Sequence, residues 1–203
     1  MLVMAFVGSP RKGRATDNLV DKAIAGVLAE KPGCEVIKIN LADKNIQPCR
    51  NCLRCRETKT DEEKAECAIK DDMVQISEQI VRADRFIFGT PVHMAYATGL
   101  MMTFLERVCW TFAKPERQIL SVKGCPTPRT TRKKKAVIVV CSGVVPPIFR
   151  SLCDRATPLI KDVARFSLNA KTVGTMYAGA LEDRGAEYYY DRAFVLGKKL
   201  MKE

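Results

Sequence analysis

The chain has 203 residues, 47% of them hydrophobic and 28% charged, enough for one domain with a full core and free of repeats or low-complexity tracts. No apolar run approaches the ~20 residues a membrane-spanning helix needs. The opening MLVMAFVGSP has neither a charged leader nor a cleavage signal, so a cytoplasmic location is expected.

The first element is a strand over Leu2–Gly8, followed by GSPRKGRATDN. Gly8 and Gly13 have the spacing of a Walker A loop, G-x-x-x-x-G-K-[ST]. Arg14 and Ala15 stand where that loop has its phosphate-binding lysine and its magnesium-holding hydroxyl, which argues against ATP or GTP. What remains is the hydroxyls of Ser9 and Thr16, the guanidinium groups of Arg11 and Arg14, and the N–H groups of a starting helix. That inventory suits a terminal phosphate monoester. The alternative is a basic turn in which Ser9 or Thr16 only caps the helix. The helix, Thr16–Glu30, carries Leu19, Ala23, Val27 and Leu28 on one face.

After a strand at Glu35–Leu41 comes an insertion over about residues 47–70. Cys49, Cys52 and Cys55 are spaced C-x2-C-x2-C, and Cys67 follows after eleven more residues. Two-residue gaps let one turn aim three thiolates at one centre, as in [4Fe–4S] runs. A four-cysteine zinc site would show a second C-x2-C knuckle. Free thiols or a local disulfide are the further alternatives. Between Cys55 and Cys67 lies RETKTDEEKAE, with Ala65 its single apolar residue, so the segment is expected to lack a core of its own and to be folded by metal, with Cys67 the weakest ligand. Its acids are expected to lower a cluster's potential.

A helix over Asp72–Arg82 and a strand over Arg85–Gly89 lead to GTPVHMAYATGLMMTFLERV, where Pro91 turns the chain outward before a helix at Gly99–Phe112. Met102, Phe104, Leu105, Trp110 and Phe112 exceed one buried stripe, so a homo-oligomer, a dimer, is expected. Much of the net charge of +11 lies in the next stretch. Residues 112–135 hold eight Lys or Arg against Glu116 alone, and Pro126 and Pro128 mark about 113–135 as a solvated basic loop. Neither aromatic interleaving nor a reading helix accompanies RTTRKKK, which weighs against a nucleic-acid partner.

A strand at Ala136–Cys141, the loop CSGVVPP, a helix at Phe149–Phe166, a strand at Thr172–Tyr177 and a helix at Glu187–Lys202 complete the chain. Continuous apolar strands alternating with helices indicate a parallel sheet covered on both faces. The expected fold is α/β, a doubly wound, flavodoxin-like domain with five parallel strands in the order 2-1-3-4-5, binding its ligand at the carboxyl ends of the strands.

Three segments resemble the flavodoxin-like, NADPH-dependent FMN reductase family. Gly8, Ser9, Arg11 and Thr16 match its G-S-x-R-x-x-G-N-T loop, and Pro91, Val92, Thr98, Gly99, Phe104, Leu105, Glu106 and Arg107 match its second motif. CAIKDDM, from Cys67 to Met73, is similar to the family's lead-in to the second helix. Arg14 and Ala15 replace the family's Gly-Asn, and His93 replaces an aromatic residue. The resemblance implies FMN as cofactor and NAD(P)H as donor. Ser9, Arg11, Arg14, Ala15 and Thr16 would surround the phosphate, Pro91, Val92, His93 and Met94 the ring, and Ser142 and Gly143 the other rim. No catalytic side chain is expected, because hydride chemistry belongs to the flavin. The iron-sulfur flavoprotein subgroup has a similar cysteine set, implying Cys49, Cys52, Cys55 and Cys67 as ligands of a [4Fe–4S] cluster. Two rival readings stand beside the oxidoreductase. The oxidoreductase would take electrons from a nicotinamide or ferredoxin-like donor. Of its rivals, one is a carrier relaying electrons between a [4Fe–4S] cluster and FMN without a nicotinamide site, and the other is a nucleic-acid-binding module.

Overall fold

The computed structural model describes residues 1–202. Strands β1 (Leu2–Val7), β2 (Glu35–Asn40), β3 (Arg85–His93), β7 (Lys134–Cys141) and β8 (Ala170–Ala178) form a parallel sheet in the order β2-β1-β3-β7-β8. This is the expected 2-1-3-4-5 order of the five main strands. A two-residue strand, β4 (Tyr96–Ala97), turns back antiparallel on the end of β3. The remaining pair, β5 (Ala113–Ile119) and β6 (Val122–Pro128), lies apart from this sheet.

Alternation along β1 divides the core. Met4 and Phe6 face helices α3 (Met73–Arg82), α4 (Gly99–Thr111) and α6 (Ala156–Phe166), while Val3, Ala5 and Val7 face α1 (Ala15–Glu30) and α8 (Tyr190–Met201). Helices α1 and α8 cross closely enough that a Cβ at Gly197 would lie 1.8 Å from the Ala23 carbonyl oxygen. Short helices α2 (Arg54–Glu57), α5 (Arg150–Cys153) and α7 (Leu181–Arg184) occupy connections.

Three expectations are corrected. The basic stretch is a hairpin: β5 and β6 pair antiparallel from Ala113–Pro128 to Ile119–Val122, with Leu120 in the left-handed region at the turn. Its prolines are accommodated because both strands are edges. The basic run that follows is not all solvated, for Arg129 and Lys134 are buried; Lys134 Nζ donates to the carbonyls of Ile80 (2.9 Å) and Val81 (3.3 Å) at the end of α3.

The helix expected over Phe149–Phe166 is broken after Cys153. There the Asp154 carboxylate accepts from the Thr157 N–H at 2.8 Å and starts α6 anew. The third correction concerns α4. Phe104, Leu105 and Phe112 are buried within the chain, and Trp110 lies half-buried beneath the Arg56 guanidinium. The helix therefore has no spare apolar face.

Candidate cofactor and cysteine sites

The carboxyl ends of β1, β3 and β7 are neighbours in the sheet, with Val7 beside Gly89 and Pro91 beside Cys141. The loops that leave them must therefore meet. A cavity of about 520 Å³ lies at that end, lined by Ser9, Pro10, Arg11, Arg14, Ala15 and Thr16 from the first loop and Pro91, Val92 and His93 from the second. Cys141, Gly143, Leu181 and Glu182 close the other side. Its size falls within the roughly 300–1,000 Å³ usual for small-molecule sites.

Sequence and backbone explain the first wall. Gly13 adopts φ +63, and its N–H donates to Asp17 Oδ2 at 2.7 Å, which folds the loop onto the first turn of α1. Burial opposes the charge on Asp17, but Lys38 and the Gly13 N–H outweigh it and hold the carboxyl below its ordinary value. Arg14 precedes the helix in an extended conformation, with no side-chain cap. Ser9 Oγ is engaged with the backbone of Arg11 at 3.2 Å instead. The simple capping role considered for Ser9 or Thr16 is thus not adopted, and the start of the helix faces the cavity with two arginines beside it.

The first two loops are locked together. Gly8 N–H donates to Gly89 O at 2.7 Å, and Thr98 Oγ1, at the start of α4, donates to Gly8 O at 2.6 Å. On the far side Ser142 O accepts from the Leu181 N–H and Gly143 O from the Glu182 N–H, which brings α7 over the third loop. Burial pushes the Cys141 thiol up to about 12, so it is a neutral wall group.

Nine of the eleven residues expected around a flavin line this cavity. Met94 does not: with φ 50 and 95% exposure it lies outside the lining. Ser142 does not either, being buried behind the wall with its hydroxyl accepting from the Val145 N–H. Leu181 and Glu182 were missed because they follow β8 in a segment without periodicity. The glycine at position 143 was the available signal, since a Cβ there would lie 2.6 Å from the Glu182 carboxylate. The set fits FMN: two guanidiniums and an uncapped helix start suit a phosphate, and the Pro91–Val92 wall suits a flat ring.

In the insertion, Asn51 and Leu53 are both left-handed, turning the chain at each two-residue gap between cysteines. Cys49 and Cys52 are exposed, Cys55 and Cys67 half-buried, and all four are free thiols. Burial first, then the like charges of Cys67, Cys49 and Cys52, raises the Cys55 thiol above its ordinary value. Among the described residues no three such side chains are gathered closely enough to hold a metal ion. In chemistry and chain order the donors fit an iron-sulfur cluster. Ligation would draw the two exposed thiols inward on their turning loop.

Contrary to expectation, the segment between Cys55 and Cys67 is anchored without metal. Ala65 is buried and its N–H donates to Thr111 O at 2.7 Å; Glu63 accepts from Thr130 Oγ1 at 2.6 Å; Asp61 pairs with Lys114 at 3.2 Å. These anchors lie more than 40 residues away in the chain, where no local pattern reveals them.

A sequence profile of the NADPH-dependent FMN reductase family matches residues 1–145. The chain belongs to that family. Within the family's wider neighbourhood, an iron-sulfur flavoprotein of Archaeoglobus fulgidus is 31% identical over 108 residues, 53% of this chain and 46% of that protein. Another from Methanocaldococcus jannaschii is 35% identical over 114 residues, 56% of this chain and 54% of that protein. The match thus spans about half the length of these curated relatives. Among solved structures, an NAD(P)H:quinone oxidoreductase from Methanothermobacter marburgensis superposes with a TM-score of 0.67 at 15% identity, covering 100% of this chain and 98% of that one. A flavone reductase gives 0.68 at 18%, covering 98% and 61%. At such identities these two show a shared flavodoxin-like fold. Among the described residues no helix is long and apolar enough to cross a membrane.

Proposed function

We propose that this family member is an FMN-dependent oxidoreductase that passes electrons from NAD(P)H, through bound FMN, to an acceptor. The observation that carries the reading is the cavity where the first three loops meet: an uncapped helix start with Arg11 and Arg14 at one end, and the Pro91–Val92–His93 wall beside it. Ser9, Arg11, Arg14, Ala15 and Thr16 hold the phosphate; Pro91, Val92 and His93 flank the ring; Gly143 lies at the opposite rim. The flavin, when bound, supplies one- and two-electron transfer. The chain binds it, orients it and leaves one face open, and His93 is a packing group rather than an acid or base. No dinucleotide-binding G-x-G-x-x-G is present, so the nicotinamide docks over the flavin.

A second reading, an electron carrier linking FMN to a [4Fe–4S] cluster on Cys49, Cys52, Cys55 and Cys67, is favoured by the left-handed turns at Asn51 and Leu53 within the two cysteine gaps and by the names of the curated relatives. A homodimer belongs to the proposal, but through a different surface from α4: Val144, Ile148, Phe149 and Leu152 are all exposed apolar groups following β7, at the cavity end of the sheet. A nucleic-acid role is disfavoured because much of the basic run is engaged internally: Arg129 and Lys134 are buried, Arg132 pairs with Asp84 at 2.7 Å, and Lys135 bonds Lys202 O.

The test is the visible spectrum of anaerobically purified protein before and after NADPH. Flavin bands that bleach support the oxidoreductase. Flavin bands that persist with NADPH but bleach with a reduced ferredoxin favour the carrier. A colourless protein that takes up no added FMN rejects both.

A further inference from the structure

Two arginines hold the cysteine insertion, and they differ in one respect. Arg107 is neutralised by Asp71, 2.6 Å away and equally buried. Arg129 is 7% exposed and has no carboxylate within ion-pair distance among the described residues. Its guanidinium donates instead to three carbonyls of the insertion, Cys55 O at 3.0 Å, Thr58 O at 2.9 Å and Thr60 O at 3.2 Å, and its Nε is buried without an acceptor. Neutral carbonyls satisfy hydrogen bonds but leave the charge uncompensated, and a buried unpaired charge is costly.

The nearby acids do not supply the missing charge. Asp61 pairs with Lys114, Glu66 with Arg54 and Lys70, and Glu63 accepts from Thr130. Glu62 and Glu116 act on Arg129 only from beyond ion-pair distance. The group it does hold is the backbone of Cys55, the third cysteine of the C-x2-C-x2-C run.

We propose that Arg129 is the counter-cation of an anionic cluster carried by the four cysteines, stabilising its retention and raising its reduction potential. This rests on the cluster reading above. A four-thiolate iron-sulfur group is a net anion, and its potential responds to nearby charge and hydrogen bonding. Of the acids of the segment, Asp61 and Glu66 are matched by Lys114, Arg54 and Lys70, and Arg129 offsets part of the negative charge that Glu62 and Glu63 leave. It is a positioning and charge-setting residue and touches no substrate.

The test uses the full chain, reconstituted anaerobically with ferrous iron and sulfide, in parent, Arg129→Lys and Arg129→Met forms. Iron per protein, rate of iron loss to a chelator, and the midpoint potential by EPR-monitored titration are measured. Flavin content in the same samples reports the fold. The expected result is that Arg129→Met shifts the potential negative and sheds iron about tenfold faster, within the usual range for second-layer partners of a metal site. Arg129→Lys, which keeps the charge, retains the parent potential. A loaded Arg129→Met protein with the parent potential overturns the proposal, as does Arg129→Lys shifting as far as Arg129→Met. Failure of Arg129→Met alone to load, with flavin intact and Arg129→Lys loading normally, supports it. A parent that takes up flavin but no iron overturns the cluster reading itself, and this proposal with it.

Discussion

Arg107 and Asp71 form a two-pronged ion pair closed to solvent, with Nη1–Oδ2 at 2.6 Å and Nη2–Oδ1 at 3.0 Å and side chains 1% and 0% exposed. The same arginine donates to Gln47 O, and the same aspartate accepts from the N–H groups of Gln47 and Met73. The pair thus fastens both ends of the cysteine insertion to α4.

Asp71→Asn is expected to destabilise the protein by about 3–5 kcal/mol, because it leaves a guanidinium buried without its counter-charge. Burial works against the Asp71 charge, yet Arg107 and the two amides outweigh it and hold the carboxyl below 3.8. The sign follows: the stabilisation is complete above the unfolded value and is lost as pH falls through the folded one. Urea unfolding between pH 7 and pH 3 should show a shallower acid-side loss for Asp71→Asn than for the parent. Equal slopes would place the acid sensitivity elsewhere.

Gly8→Ala tests the lock between the first two loops. The new Cβ would lie 2.8 Å from Met101 Cβ and 3.2 Å from Thr98 Oγ1. Overpacking of this kind costs about 1–3 kcal/mol. It should also weaken FMN binding, since the loop that moves carries Ser9 and Arg11. Thermal unfolding and a flavin titration report the two effects, and unchanged values for both would show that the loops are not coupled.

Arg11→Ala removes charge-assisted hydrogen bonds worth roughly 1.5–3 kcal/mol. The FMN dissociation constant is expected to rise at least about tenfold, and riboflavin, without the phosphate, should bind parent and variant alike. A flavin fluorescence titration decides it. If FMN affinity is unchanged, the first loop does not hold the phosphate.

Lys134 gives the protein an alkaline signature. Burial, with Arg132 nearby, pushes its ammonium down from 10.5 to about 8. Between those values the unfolded chain binds more protons than the folded one, so stability rises with pH. At about 1.4 kcal/mol per pKa unit the gain by pH 9 is roughly 1 kcal/mol. The thiols of Cys34, Cys55, Cys109 and Cys141, all raised by burial, oppose it over the same range, because they ionise first in the unfolded chain. The Lys134 contribution is therefore read as a difference: under reductant, the stability of the parent relative to Lys134→Met should rise by roughly 1 kcal/mol from pH 8 to 9. A difference that stays constant over that range would assign the effect to another group.

Much of the sheet was legible because its signals are local. Runs such as Leu2–Val7 and Ala136–Cys141 leave no other reading for buried parallel strands, and Gly8, Gly13 and Pro91 mark the turns that form the cavity. The hairpin was not legible, because prolines at 126 and 128 and a row of lysines read as loop when both edges of a ribbon tolerate them. Nor was the anchoring of the insertion. Arg129 lies 74 residues from the Cys55 carbonyl it binds, and in sequence it is one more cation in a basic run. The spare surface was sought in α4, whose large side chains prove to be core, rather than in the short CSGVVPP connection and the residues just after it.

That connection supplies the last prediction. Val144, Ile148, Phe149 and Leu152 are exposed, Ile148 at 82%, and they lie in one short segment between β7 and α6. Exposed apolar side chains concentrated in this way mark interaction surfaces. The single-chain buried core does not need them, so replacing one with a charge should leave folding intact while opposing burial against a second copy. Light scattering at micromolar concentration is expected to give a dimer for the parent and a monomer for Ile148→Asp, with thermal unfolding of the flavin-loaded variant following the monomer's own stability. Leu152→Asp should behave alike, because both residues are exposed in the same short segment. A monomeric parent would remove the dimer from the proposal. A dimer that survives both substitutions would move its interface to another surface.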